Sequence, residues 1–193
     1  MSSLTLLVLD NNHFSGPLPT SMWTTLPNIE RIYLSTNKFT GMLPSSISNV
    51  TKLTLLAMIE NSLTGPIPNT VGDLKFLRRL YLGGNNFTRE SSTEELTFIS
   101  ALTKCREFEA AELSLNQFNG FLPSSIGNFS ASLQSFNCFL CKIKGPIPSE
   151  IGNLTSLQSI NLDSNEFTGV IPSTLGKLSQ ADRIYLEHNK LQG

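Results

Sequence analysis

The sequence predicts an α/β solenoid, a right-handed superhelix with a parallel β-sheet on its concave side and short 3-10 or helical turns on its convex side. Two observations lead to this prediction. A pattern of apolar residues and asparagine returns about every 24 residues along the chain, and a fixed period of this length indicates stacked repeats. Within each copy the apolar residues alternate with others, which is the period of a β-strand.

The repeat is clearest in its first copy, which reads Leu4-x-x-Leu7-x-Leu9-x-x-Asn12-x-Phe14-x-Gly16-x-Leu18-Pro19. Repetition also accounts for the excess of Leu and Asn in the composition. We therefore expect a single solenoid over residues 1–193, with about eight repeats at roughly 1–25, 26–49, 50–73, 74–104, 105–129, 130–153, 154–177 and an incomplete 178–193. The asparagine position is occupied in turn by Asn12, Asn37, Asn61, Asn85, Asn116, Cys141, Asn165 and Asn189.

Each part of the repeat has a physical role. The alternating leucines point to one side and fill a core that no single turn could bury alone. The asparagine amide has both donors and an acceptor, so it can satisfy backbone groups where the chain turns after the strand. Glycine permits an unusual φ and proline stiffens the return path. Short segments such as 44–47 and 148–151 are expected to form the outer turns.

One step between repeats, from Asn85 to Asn116, is longer than all the others. The extra residues fall in an insertion at 89–104, where a polar stretch precedes Leu96, Ile99 and Leu102 at helix-like spacing. We expect a longer helix in place of the missing Gly-x-Ile-Pro element. Two interpretations stay open, a packing irregularity on the convex side and a functional island that touches a ligand.

The repeat resembles the leucine-rich repeat, and specifically its plant extracellular type, which carries an L-x-G-x-I-P element such as Leu63-Thr64-Gly65-Pro66-Ile67-Pro68. The resemblance covers essentially the whole chain. The insertion is similar to the F-L-x-S-L-T-N-C signature of one subfamily of plant receptor kinases, which includes the receptors for bacterial flagellin and elongation factor and a rice blight-resistance receptor. Here it reads Phe98-Ile99-Ser100-Ala101-Leu102-Thr103-Lys104-Cys105, with Lys in place of Asn.

This resemblance implies a fragment of the ectodomain of a receptor-like Ser/Thr protein kinase. Such a module binds a peptide or protein ligand and a leucine-rich-repeat co-receptor kinase in defence or developmental signalling. It lies on the extracellular, apoplastic face of the plasma membrane as part of a longer chain. The kinase domain and a transmembrane helix are absent from the sequence, so membrane attachment would need a segment outside it.

The two ends of the sequence fall inside repeats, and neither carries the cysteine pair that caps such solenoids. A solenoid needs caps because its last turns otherwise expose core leucines. We therefore expect a piece of a longer protein. A truncated product is the alternative.

Composition and motifs exclude several functions. The net charge is −1 and only 15% of residues are charged, which argues against nucleic-acid binding. The sequence has no phosphate loop, kinase catalytic loop or nucleophile elbow, and its two histidines, His13 and His188, lie far apart along the repeats. We expect no enzyme activity, no cofactor and no metal site in this chain.

Cys138 and Cys141 form a Cys-x-x-Cys motif, which has two interpretations. Such a motif can serve redox chemistry or half of a zinc site. In the repeat register Cys138 takes a leucine position and Cys141 the asparagine position, so both are expected to be buried structural residues. Cys105 stands alone in the insertion.

Four Asn-x-Ser/Thr sequons are candidate glycosylation sites, at Asn49, Asn86, Asn128 and Asn153. Asn49, Asn128 and Asn153 share one repeat position, in the outer turn ahead of the next strand. Turn geometry and capping favour Asn and Ser or Thr there without any sugar. Both interpretations stay open.

The side chains between the strand leucines form the concave, solvent-facing surface, which repeat arrays use for binding. Three turns present Arg-x-Tyr, and Arg and Tyr are frequent in binding hot spots. An exposed apolar patch is expected between two of these turns. Cross-strand stacking is the alternative reason for such residues on strands. The candidate ligand-binding residues are Arg31, Tyr33, Leu55, Ala57, Ile59, Arg79, Tyr81, Glu112, Asn137, Arg183 and Tyr185.

Two other functions compete with the receptor. A soluble secreted inhibitor of a pathogen enzyme, similar to the polygalacturonase-inhibiting proteins, uses the same scaffold. An acidic concave patch would favour an inhibitor of a basic enzyme, but the surface here is mixed in sign. A remnant without any partner is the third possibility.

Overall fold

A computed structural model describes residues 2–193. The strands are, in chain order, β1 (Leu6–Val8), β2 (Ser15–Pro17), β3 (Arg31–Tyr33), β4 (Lys38–Met42), β5 (Leu55–Ala57), β6 (Ser62–Pro66), β7 (Arg79–Tyr81), β8 (Asn86–Thr88), β9 (Ala110–Glu112), β10 (Ser135–Asn137), β11 (Lys144–Pro146), β12 (Ser159–Asn161), β13 (Glu166–Val170), β14 (Arg183–Tyr185) and β15 (Lys190–Gln192). The helices are α1 (Met22–Thr25) and α2 (Thr97–Leu102), with 3-10 segments at Ser45–Asn49, Asn69–Asp73, Ser124–Asn128, Ser149–Asn153 and Ser173–Lys177.

The concave side is one parallel sheet with a strand from each turn, in the order β1-β3-β5-β7-β9-β10-β12-β14. Its register keeps equivalent residues in line, so that Arg31, Leu55 and Arg79 are neighbours across three strands. The eight turns therefore stack in a common phase, and the predicted solenoid is confirmed. The helices and 3-10 segments lie between successive strands of this sheet, as the outer turns of the coil.

A second set of parallel strands follows the turn after every concave strand except β9. It forms two separate sheets, β2-β4-β6-β8 and β11-β13-β15. Between the two sheets, isolated bridges join Glu95 to Phe121 and Phe121 to Lys144. The break falls where the insertion replaces the regular outer turn.

The core is a continuous stack of apolar side chains along the coil. The middle residue of each interior concave strand is buried, as at Leu56, Leu80 and Phe136. Ile184 occupies the same core position but is 43% exposed, because β14 is an edge strand with no further described strand packed against it. The expectation that every such position is buried is therefore wrong for this turn.

The repeated asparagine joins its turn to the one before it, in every turn after the first except the one that carries Cys141. In Asn116 the Nδ2 group donates to the carbonyl oxygens of Leu82, Leu113 and Ser114 at 3.1, 2.9 and 3.3 Å, and Oδ1 accepts from the N–H of Phe87 at 2.9 Å. The side chain thus satisfies four backbone groups of two turns. The same donor and acceptor arrangement recurs at Asn37, Asn61, Asn85, Asn165 and Asn189.

The residue before this asparagine has a positive φ in turn after turn. Only one of these positions carries glycine, Gly84 with φ 65°. The left-handed region is disfavoured for residues with a Cβ, most of all for a β-branched one. The other residues here are Asn11, Thr36, Glu60, Leu115, Leu140, Ser164 and His188, with φ between 51° and 57°.

The insertion folds as expected into the helix α2. Phe98, Ile99 and Leu102 are buried in the common core. The helix lies so close to the preceding 3-10 segment that a Cβ on Gly72 would overlap the carbonyl oxygen of Ala101. The insertion is therefore a structural part of the coil and holds neighbouring turns together.

We predict that Asn116→Ala lowers the free energy of unfolding by about 2 kcal/mol, because leaving one buried donor unpaired costs roughly 1–3 kcal/mol and the N–H of Phe87 loses its acceptor. The three carbonyls each lose one of two partners, since Asn85, Cys141 and Gly84 also donate to them. Urea unfolding followed by circular dichroism measures it. Asn12→Ala is the matched control, since Asn12 is exposed and donates to only two carbonyls. Equal losses in the two variants would contradict the role given to the buried amide.

Candidate functional site

The concave face presents two rows of side chains that project away from the core. The first residues of the eight strands form one row and the third residues form the other. Large side chains stand on β3 and β7 and again on β14, while β9, β10 and β12 carry smaller ones. The surface is therefore uneven along the coil.

The sequence predicts an apolar patch of Leu55, Ala57 and Ile59 on this surface, and the first two of these residues are buried. Leu55 is 7% exposed and Ala57 is 4% exposed. In the sheet register Ala57 lies between Tyr33 and Tyr81, and their larger side chains cover it. Leu55 lies in the same way between two arginines. The prediction that these two residues face solvent is wrong. The alternation along a strand fixes the side of the sheet on which a side chain lies, but its exposure also depends on the side chains of the neighbouring strands.

Arginine and glutamate side chains form an ion-paired cluster at the start of β7. Glu109 accepts from Arg78 and, at 3.1 Å, from Nε of Arg79. The Glu109 side chain is 14% exposed and that of Arg79 is 51% exposed. The carboxylate thus holds one guanidinium in place while leaving half of its surface open to another molecule.

Tyr81 stands beside this cluster on the third position of β7. Burial raises the pKa of Tyr81, and the nearby Arg79 opposes that rise. The phenol therefore stays protonated at neutral pH and can donate a hydrogen bond to a ligand.

Two of the predicted ligand-binding residues are engaged within the protein. Glu112 accepts from Nδ2 of Asn137 at 2.5 Å and from the N–H of Ser114 at 3.0 Å. Ser114 Oγ donates to Oδ1 of Asn137 at 2.8 Å. The sequence places Ser114 on the concave face but not among the candidate ligand-binding residues. Its hydroxyl completes this network and keeps Glu112 and Asn137 in fixed positions.

A trough of about 300 Å³ opens on the concave face between β7 and β14. Arg79 and Tyr81 stand at one end and Arg183 at the other. Glu109 and Asp182 also line the trough and are ion-paired with arginine. Within residues 2–193, the serine and glutamine side chains of the lining make no hydrogen bond to the protein, so their donors and acceptors are free for a ligand. We call this region the concave trough. Its floor is formed by Ser135 and Ser159, with Gln134 and Gln158 beside them.

A second polar group lies further along the same face. Asp163 accepts from Nδ1 of His188 at 2.8 Å and from Ser164 Oγ at 3.0 Å. The hydrogen bond from His188 is the main reason that the pKa of Asp163 lies below its usual value. Serine and histidine both bond to the carboxylate and not to each other, which is not the order of a nucleophilic triad.

The remaining predicted residues are placed along the whole sheet. Arg31 and Arg183 are exposed, Tyr33 and Ile59 are partly buried, and Tyr185 is exposed on the edge strand. The candidate set therefore does not converge on one point. Its members at the concave trough are Arg79, Tyr81 and Arg183.

The cysteines are buried, as the structural reading of the motif expects. Cys138 and Cys141 have no exposed surface, and all three thiols are free. Cys141 replaces the asparagine of its turn and donates to the carbonyl oxygens of Leu113 and Phe139 at 3.2 and 3.4 Å. Along residues 2–193, no group of three or more His, Cys, Asp or Glu side chains is arranged to hold a metal ion.

The four sequon asparagines are all exposed. Asn49, Asn128 and Asn153 each end a 3-10 segment, on the edge where the chain returns to the concave sheet. Asn86 lies in β8, on the second set of strands. No helix of the described chain is both long enough and apolar enough to cross a membrane.

Comparison with known proteins gives a consistent result. The family described as Leucine rich repeat matches residues 27–87, and a second profile of that description matches residues 3–24 and 156–178. Receptor kinase-like protein Xa21 of Oryza sativa subsp. japonica is 44% identical over 92 residues, 47% of this chain and 9% of that protein. The LRR receptor-like serine/threonine-protein kinase EFR of Arabidopsis thaliana is 40% identical over 83 residues, 42% of this chain and 8% of that protein.

Among solved structures, the Arabidopsis receptor kinase HAESA, in complex with the peptide hormone IDA and the co-receptor SERK1, superposes with a TM-score of 0.88. The two chains are 31% identical, and the match covers 98% of this chain and 31% of HAESA. The chain thus spans about a tenth of the matched curated relatives and about a third of the HAESA chain.

These repeats, stacked in phase around a shared leucine core, define a leucine-rich-repeat protein, and the chain belongs to that family. Within the family it is a set of repeats of the plant receptor-like kinase ectodomain type. It corresponds to an extracellular, non-catalytic part of such receptors and contains no kinase domain.

We predict that the three thiols resist alkylation in the folded chain. Burial raises the pKa of Cys105 to about 11 and also raises that of Cys138, so little thiolate exists near neutral pH and none of it is accessible. Iodoacetamide treatment at about pH 8 followed by mass spectrometry should find the native chain unlabelled and the urea-unfolded chain labelled at all three cysteines. Rapid labelling of native Cys138 or Cys141 would instead support a redox or metal role.

Proposed function

We propose that this chain is a ligand-recognition part of a plant leucine-rich-repeat receptor kinase and binds an extended peptide or protein segment in the concave trough. The observation that carries the proposal is the trough itself, in which free serine and glutamine side chains lie between Arg79 and Arg183. HAESA, whose fold is so similar, is described in complex with a peptide hormone and a co-receptor. A peptide ligand and a leucine-rich-repeat co-receptor kinase are therefore the partners we assign.

The size of the trough fits a short stretch of extended chain. Four strand steps separate β7 from β14, and neighbouring strands lie about 4.8 Å apart, which gives a span of roughly 19 Å. An extended peptide rises about 3.3 Å per residue, so about six residues cross the trough. The serine and glutamine floor offers both donors and acceptors to the peptide backbone.

Rigidity of the solenoid favours this function. The strands that carry the trough are fixed by the sheet and by the asparagine bridges between turns. A preformed surface loses little conformational entropy on binding. Affinity then depends on a few well-placed contacts, for which the half-exposed Arg79 and the neighbouring Tyr81 are suited.

The location we propose is the apoplastic face of the plasma membrane, as part of a longer chain. A secreted chain would carry glycans at Asn49, Asn86, Asn128 and Asn153, all of which are exposed. None of the four lies in the concave sheet, so glycans there leave the trough open.

We predict that Arg79→Ala combined with Tyr81→Ala weakens ligand binding by about tenfold or more, which corresponds to roughly 1.4 kcal/mol. Short linear peptides, selected from a random displayed library on the intact chain, serve as the probe. Dissociation constants are measured for each variant by fluorescence polarisation. A blocking variant, Ser159→Leu, should reduce binding as well, because it fills the floor of the trough.

The matched control is Arg31→Ala with Tyr33→Ala, the same pair of residues on β3 and outside the concave trough. We expect its affinity to stay within about twofold of the original. Equal losses in both double variants, or unchanged binding in Arg79→Ala with Tyr81→Ala, would contradict the assignment of the site.

We also predict glycan occupancy at the four sequons when the chain is secreted from cultured plant cells. The exposed side chains are accessible to the transferase, and neighbouring turns do not cover them. Mass spectrometry of tryptic glycopeptides measures the occupancy, and Thr51→Ala is the control that removes the acceptor sequence at Asn49. Unmodified asparagine at all four positions in a secreted chain would count against an extracellular location.

A further inference from the structure

One edge of the coil, where the outer turn returns to the concave sheet, carries an unusual surface at the fourth and fifth repeats. Phe76 is 59% exposed there. We call this surface the Phe76 edge. Phe76 lines a depression of about 690 Å³ together with Lys75, Thr103, Lys104, Arg106 and Glu107.

The repeat pattern shows that an exposed aromatic residue is not required at this position. The residue directly before the first core residue of the strand is polar in all the other turns of the array. A large apolar side chain open to water is unfavourable unless something covers it. The equivalent residues of the other turns are Ser3, Asn28, Lys52, Glu107, Ser132, Ser156 and Gln180.

Three cations surround Phe76, and all of them are exposed. Among the residues that the structure describes, no carboxylate oxygen lies within 4.0 Å of the charged groups of Lys75, Lys104 or Arg106. Glu107 is the single acidic residue of the lining. The chain as a whole has a net charge of −1, so this concentration of positive charge without carboxylate partners is local.

The sequons leave the same edge open. The position that ends the outer turn carries Asn49, Asn128 and Asn153 as sequons in three turns. In the two turns that build the Phe76 edge, this position is Asp73 and Lys104, and neither is an acceptor for a glycan. Sequons therefore flank the Phe76 edge, and none lies within it.

We propose that the Phe76 edge is a docking site for an acidic segment of a partner protein, in which an apolar side chain covers Phe76 and carboxylates pair with Lys75, Lys104 and Arg106. Charge complementarity sets the sign of the partner, and the aromatic centre requires an apolar group within the acidic stretch. An acidic polysaccharide would pair with the same cations, and the test distinguishes it from an acidic peptide. The site is separate from the concave trough and does not depend on the function proposed for it.

The test uses a random displayed library of short linear peptides. Peptides are selected on the intact chain and counter-selected on a variant that combines Phe76→Ser with Lys104→Glu. Serine occupies the position of Phe76 in other turns, as Ser132 and Ser156 show, so the substitution suits the fold. We expect the surviving peptides to be rich in Asp and Glu around a Leu or Phe and to bind the variant about tenfold or more weakly than the intact chain.

The matched control is Lys177→Glu, the same charge reversal at the equivalent position of a distant turn. It should leave the affinity of these peptides unchanged within about twofold. Thermal unfolding of each variant checks that the fold is retained. Survivors without acidic enrichment, or equal losses in the Lys177→Glu control, would overturn the proposal.

Polygalacturonate is run in parallel as the polysaccharide probe. If it binds the intact chain, loses affinity in the combined variant and no acidic peptide is enriched, the site belongs to a polysaccharide and the proposal is wrong. Binding of the selected peptides to the Arg79→Ala with Tyr81→Ala variant should be unchanged. This result separates a failure at the Phe76 edge from a failure at the concave trough.

Discussion

The structure depends on a repeated side-chain amide that joins a turn to the preceding one, in every turn after the first except the one that carries Cys141. The strand residues can bond across the sheet, but the bend after each strand leaves carbonyl and N–H groups without such partners. One asparagine supplies donors to three of these carbonyls and accepts from backbone N–H, as Asn116 and Asn165 show. The leucine core provides the larger share of the stabilisation, since burial of apolar surface is the dominant favourable term. The amide fixes the position of one turn on the next.

That fixed position is what produces a usable surface. Because equivalent residues lie in line across the sheet, the first and third residues of each strand form straight rows. A large residue in one turn therefore meets its counterparts in the neighbouring turns. Tyr33 and Tyr81 cover Ala57 for this reason, and the small residues of β9, β10 and β12 leave a trough for the same reason. The shape of the concave surface therefore follows from the sizes of the side chains along each row.

The fold could be predicted from the sequence because its signals are repeated and independent of one another. The spacing of Leu, Asn, Gly and Pro predicts the number of turns, the parallel concave sheet and the helix of the insertion. The exposure of individual side chains could not be predicted in the same way. The alternation along the strand predicts that Leu55 points outward, but only the register of the sheet shows that Arg31 and Arg79 lie on either side of it.

Two further features of the structure have no signal in the sequence. The left-handed residue before each asparagine is glycine only once, so its conformation is imposed by the turn and not by the residue. The hydrogen bond of Ser114 with Asn137 joins different turns, which a single sequence does not pair.

The gap between the two smaller sheets, β2-β4-β6-β8 and β11-β13-β15, has a consequence for how the coil assembles. In a solenoid each turn contacts only its neighbours, so order spreads from one turn to the next. Between β8 and β11 the second set of strands has isolated bridges in place of a strand ladder, and α2 packs against the 3-10 segments of the two neighbouring turns. The second set of strands therefore consists of two blocks, which are joined through the helix α2 and the concave sheet. At the insertion, order therefore passes from one block to the other through α2 and the concave sheet and not through a ladder of these strands.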